Sequence, residues 1–75
     1  MAIDAQTAIN RLKSSIDDLR ESLSLINCQR LYAEITGYNR ALLDCGIISE
    51  TQWKQIHHQA STAFANWKGG PIFPT

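Results

Sequence analysis

Neither glycine nor proline occurs between Met1 and Thr36. Nothing in that half of the chain obliges a helix to stop. Cysteine is scarce: only Cys28 and Cys45 are present, and they show no pairing pattern. A disulfide scaffold of this length would carry more. Both are expected to stay reduced and to pack as small hydrophobes. An excess of charge is missing too, since seven Lys and Arg are dispersed among seven Asp and Glu. That balance disfavours a nucleic acid held mainly by its phosphates. It equally disfavours a polybasic membrane anchor. No apolar run approaches the ~20 residues of a membrane span. The start, Met1-Ala2-Ile3-Asp4, lacks the basic and apolar stretches of a signal peptide. The expectation is a cytoplasmic protein with no membrane partner. A chain of 75 residues makes one domain with a thin core. Without disulfide or metal, regular helix packing or association must supply its stability.

What is present is helical periodicity. Ala5, Ile9, Leu12, Ile16, Leu19, Leu23 and Ile26 follow one another in alternating steps of four and three. This is a heptad stripe, and Arg11, Lys13, Asp17, Asp18, Arg20 and Glu21 fill the solvated face between its members. Asp4 is placed to cap the first turn. A second stripe runs through Leu31, Ile35, Tyr38, Leu42 and Cys45. The step of five from Ile26 to Leu31 breaks phase and rotates the stripe by about a quarter turn. Two structures absorb such a break. One is a continuous helix over about 4–45 whose apolar face rotates midway. The other is a reversal within residues 22–27. The continuous helix is preferred, because that segment holds mediocre helix formers and no strong turn former. Gly37 inside the second stripe costs about 1 kcal/mol relative to Ala unless something packs closely over it.

The clearest punctuation follows. Gly46 stands where a helix C-cap uses positive φ. Ser49-Glu50-Thr51-Gln52 fits a capping box, with Ile48 and Trp53 placed for a hydrophobic staple. One helix thus ends near Cys45 and another starts near Glu50, and so short a link favours antiparallel neighbours. The last helix gathers Trp53, Ile56, Ala60, Ala63, Phe64 and Trp67 on one face. Gly69, Gly70 and Pro71 close it. The single helical domain is therefore read as residues 1–68, followed by an extended tail over 69–75. Two roles are open for that tail: packing back onto the helices through Phe73, which is preferred, or serving as a docking peptide.

Chemistry-bearing constellations are weak. Cys28, Cys45, His57 and His58 lack the close ligand pairs of structural zinc sites, so no metal or other cofactor is expected. A cysteine nucleophile would need an orienting third group and a pocket, which helices of this size hardly enclose. The glycines form no phosphate loop. The chain reads as no enzyme. A helix-turn-helix has some superficial fit around Gly46, but the following helix carries only Lys54 and Lys68 as cations. A small DNA-associated regulator is therefore the alternative reading, and nucleic acid a weakly supported partner.

The stretch from Ala41 to Trp53, with its leucine, acidic, glycine, isoleucine, cap, acidic and aromatic order, resembles the hairpin of SHOCT-type segments. It covers about a fifth of the chain, and the resemblance implies a helical hairpin and no activity.

The fold class expected is all-α: a helical hairpin with a long N-terminal helix, or a three-helix bundle, in a dimer. The function expected is that of a non-catalytic interaction module, a small accessory, adaptor or inhibitor protein whose partners are a second copy and another protein. Self-association is assigned to Ile9, Leu12, Ile16, Leu19, Leu23 and Ile26, because a short return helix cannot shield a seam that long. Leu31, Ile35, Tyr38, Leu42, Trp53, Ile56, Phe64 and Trp67 are assigned to packing within the chain. Arg30, Tyr32 and Arg40 fall off that stripe and are candidates to face a partner.

Overall fold

The structure is a computed structural model, and it describes residues 4–68. The tail expected over 69–75 lies outside the described residues. Three helices follow in order: α1 (Ala5–Arg20), α2 (Leu25–Asp44) and α3 (Glu50–Asn66). Each packs on the other two, so the three-helix bundle is the arrangement observed. Among the described residues there is no strand, and no helix is long and apolar enough to cross a membrane.

The continuous helix over 4–45 does not form. The chain reverses across residues 21–24 without help from glycine or proline. Serine side chains make the turn. The Ser22 amide donates to the Leu19 carbonyl at 3.1 Å, and its hydroxyl donates to the Asp18 carbonyl at 3.1 Å. Ser24 then adopts extended backbone and caps α2, accepting from the Asn27 amide at 3.2 Å. Such side-chain bonds compete with the helical ladder and offer the backbone a way out of it.

The other boundaries follow the cap chemistry. Asp4 accepts from the Thr7 amide at 2.7 Å. That bond holds the Asp4 carboxyl below its ordinary value. At the end of α2, Gly46 takes φ 74°, the left-handed region that glycine enters freely. Its amide donates to Leu43 and the Ile47 amide to Leu42, at 3.0 and 2.9 Å. These are the paired bonds of a Schellman motif. Ser49 and Gln52 form the reciprocal capping box at 2.8 and 3.1 Å.

The core is drawn from all three helices. Ala8, Leu12, Ile16 and Leu19 come from α1, Cys28, Ile35 and Leu42 from α2, and Ile56, Ala60 and Ala63 from α3. Ile48 closes one end from the α2–α3 link. Leu31, Tyr38, Trp53, Phe64 and Trp67 pack around this core half-buried, as their assignment to internal packing required. Cys45 departs from expectation. It is the C-cap of α2 and is exposed, whereas Cys28 is fully enclosed. Nothing lies within 4 Å of the position a Cβ would take on Gly37, so no close packing offsets its helix penalty.

Candidate interaction surface

The topology brings three chain segments to one end of the bundle. α1 ends there, α2 begins there, and α3 runs back antiparallel to α2 and finishes there. The indole Nε1 of Trp67, the C-cap residue of α3, donates to the Ser22 carbonyl at 2.8 Å. This bond ties the end of α3 to the α1–α2 turn.

Among the described residues, Leu23, Leu25 and Ile26 are the large apolar side chains left exposed, at 67, 52 and 80%. All three belong to this end. Leu23 has left α1 before the heptad stripe can carry it inward. Ile26 is in the first turn of α2, nine positions before the buried Ile35. At 100° per residue that puts it about half a turn from the core face. Arg30 lies four positions on and shares this outward face. An open groove of about 790 Å³ runs beside these residues, lined among others by Asp18, Glu21, Leu23, Ile26, Arg30 and Leu31. Its walls carry Leu23, Ile26 and Leu31, with carboxylates from the α1 side and a guanidinium from α2. Another concavity, of about 490 Å³, lies on the outer face of α1, lined by Thr7, Asn10, Arg11, Ser14 and Ser15.

The residues assigned to a self-association seam separate into two groups. Leu12, Ile16 and Leu19 are no more than 1% exposed, and Ile9 is half-buried against the same core. Their own chain encloses them, because the reversal returns α2 and α3 along the face that a long helix would have left bare. Leu23 and Ile26 remain at the surface. Leu25 joins them, although no stripe position singled it out. Its signal was Ser24, a favoured N-cap residue that places Leu25 in an exposed first turn.

The off-stripe candidates also divide. Tyr32 does not face outward. Its ring stacks on Phe64 with centroids 4.5 Å apart and planes 14° from parallel, and its hydroxyl lies 3.2 Å from Ser61 Oγ. Aromatic contact with α3 draws it into the bundle. Arg30 and Arg40 are exposed, paired with Glu34 and Asp44, each at 3.2 Å. Arg30 also donates to the Asn27 side chain. Arg40 pairs near the opposite end of α2, so the structure does not bring it together with Arg30.

Cys28 is enclosed, and burial pushes its thiol pKa up. A raised pKa disfavours the thiolate, the form that acts as nucleophile or metal ligand.

The Schellman turn and capping box account for the likeness of residues 41–53 to SHOCT-type segments as a matter of helix-end chemistry. Comparison with family models, with curated proteins and with solved structures finds no match to this chain, so its function is argued from its own side chains.

Proposed function

We propose that this chain is a non-catalytic protein-interaction module that presents the α1–α2 end of its bundle to a second copy of itself. The carrying observation is the cluster of Leu23, Leu25 and Ile26, three large apolar side chains held in water within one turn of each other. Exposed apolar surface of this kind costs free energy that association recovers. The rim supports a like partner. Asp18 and Glu21 line the groove from the α1 side and Arg30 lines it from α2. A two-fold axis through the patch sets the acids of one copy against the arginine of the other, as a self-complementary interface needs.

The patch is small beside the ~1,600 Å² of a standard interface. The association expected is accordingly weak and concentration-dependent. Sedimentation equilibrium across a concentration series tests it. The wild-type mass rises toward twice the monomer, and Ile26→Asp abolishes the rise. A mass that stays monomeric at the highest concentration, or a rise that Ile26→Asp leaves intact, overturns the proposal.

The DNA-associated alternative has less support. Arg20, Arg30, Arg40 and Lys54 each pair with an acid one helical turn away. That local neutralisation weakens any basic footprint.

A further inference from the structure

We infer that the indole N–H of Trp67 is the stop that ends α1 and holds the chain reversed at residues 21–24. The local bonds of the turn do not suffice for that. A serine hydroxyl bonded to the carbonyl four residues back, as Ser22 is to Asp18, is tolerated inside helices too. The amides of Glu21 and Ser22 still donate to Asp17 and Leu19, as a helix or its tightened last turn would have them. Glu21, Ser22, Leu23 and Ser24 include neither glycine nor proline, so each of them can be helical. In a continuing α-helix the Ser22 carbonyl would accept from the Ile26 amide. Here it accepts from Trp67 Nε1 at 2.8 Å instead. Ile26 is the second residue of α2, in the turn whose amides find no carbonyl within their own helix. The acceptor and the donor of that helical bond are thus held apart. Ser22 is only 4% exposed, so its carbonyl is poorly placed to turn to water if the indole leaves. The donor that restores its bond is then the Ile26 amide, and taking it makes this segment a turn of helix. Trp67 reaches Ser22 from the C-cap of α3, where its own backbone is already extended, at φ −67° and ψ 132°. It lies 45 positions along the chain from Ser22, so no local pattern announces the stop.

The stop also decides what the α1–α2 end displays. In a helix running on, Leu23 would lie four positions past the buried Leu19 and share its face, whereas here it is 67% exposed. The consequence for association rests on the reading above; the stop itself does not. Two variants of the full-length protein separate the bond from the ring. Trp67→Phe removes the N–H and part of the ring. Benzothienylalanine at position 67 keeps the fused-ring shape with sulfur in place of the N–H. In both, the Cα chemical shifts of Ser22, Leu23 and Ser24 should move toward helical values, while the core methyls of Ile35 and Leu42 stay in place. Unchanged turn shifts in both overturn the stop. A change in Trp67→Phe alone overturns it too, because the effect then belongs to ring packing. The wild type supplies a check that no variant has to fold for. Its Trp67 indole proton should exchange with water at least about tenfold more slowly than that of a free tryptophan side chain. Exchange at the free rate overturns the bond. Self-association of the benzothienylalanine variant separates the stop from the second-copy reading. With both correct, it weakens by about tenfold or more, because fewer chains hold the competent turn. Turn shifts that move while association stays unaltered support the stop and overturn the second-copy reading. Turn shifts unmoved with association intact do the reverse.

Discussion

Asn39 donates from Nδ2 to the backbone carbonyl of Trp53 at 3.1 Å, while its own Oδ1 is buried without a partner. The side chain is 1% exposed and lies between α2 and α3. Its amide therefore fixes the register of the two helices at the cost of one unsatisfied acceptor. Trp53 is interior to α3, so its carbonyl keeps a helical partner if Asn39 is removed. Replacing Asn39 by Leu is expected to leave stability unchanged or raise it by about 1 kcal/mol. Asn39→Asp places a charge against the Trp53 carbonyl, itself an acceptor, where the buried Oδ1 has no donor, and should cost at least about 2 kcal/mol at neutral pH. Urea denaturation of both variants checks the pair. A destabilised Leu variant would show that the single bond to Trp53 outweighs the orphaned oxygen.

Leu12 and Ile26 belong to one heptad stripe in the sequence and to opposite environments in the fold. Leu12→Ala should lower stability by about 2–5 kcal/mol, since it empties part of a closed core. Ile26→Asp should change it by no more than about 0.5 kcal/mol, because the side chain is 80% exposed. Denaturant midpoints distinguish the two. The reverse order would mean that α1 and α2 continue as one helix and that the stripe packs against another chain.

That contrast also shows what could be read in advance. Asp4, Gly46, Ser49 and Gln52 were legible because caps act through bonds spanning a few residues. The α3 face was legible because its period is unbroken from Trp53 to Trp67. The reversal at residues 21–24 was not, because it uses neither glycine nor proline. Ser22 and Ser24 make it with side-chain bonds that a continuous helix would also tolerate. Ser24 followed by Asn27 was an available N-cap signal, outweighed by a heptad spacing that serves an internal core and a dimer seam equally well. The exposed end was half legible. The phase break after Ile26 marked its departure from the core face, but its exposure depends on where α3 ends.

The two described glycines should respond oppositely to alanine. Gly37 is exposed, in mid-helix, with nothing within 4 Å of an added Cβ. Gly37→Ala is expected to stabilise by about 0.5–1 kcal/mol. Gly46 sits at φ 74°, so Gly46→Ala should destabilise by about 1–2 kcal/mol although the space is also open. Paired thermal melts decide this. A stabilised Gly46→Ala would mean that the α2–α3 turn does not use the left-handed conformation.

Asp4 gives the first turn of α1 a pH dependence. Its folded carboxyl is held below the ordinary value of 3.8, chiefly by the Thr7 amide. The folded state therefore binds its proton more weakly than the unfolded state does. The stabilisation is complete above the unfolded pKa and is lost as pH falls through the folded one. The difference in melting temperature between wild type and Asp4→Ala should be largest at neutral pH and shrink below about pH 4. A difference that persists unchanged at pH 2 would remove the carboxylate from the cap.

The two thiols should differ in reactivity by a wide margin. Cys45 is exposed at the end of α2, whereas Cys28 is completely enclosed and its pKa is raised by burial. Alkylation proceeds through the thiolate and needs access, and both factors hold Cys28 back. With iodoacetamide at neutral pH, one equivalent should be consumed quickly and map to Cys45 by mass spectrometry. The second should react only as the bundle opens, because Cys28 packs in the core beside the residues that close α1 onto α2. Its rate should therefore follow global stability, rising in Leu12→Ala and falling in Gly37→Ala. Equal and immediate labelling of both thiols would mean that the α1–α2 end frays independently, and that the serine turn does not hold the core shut.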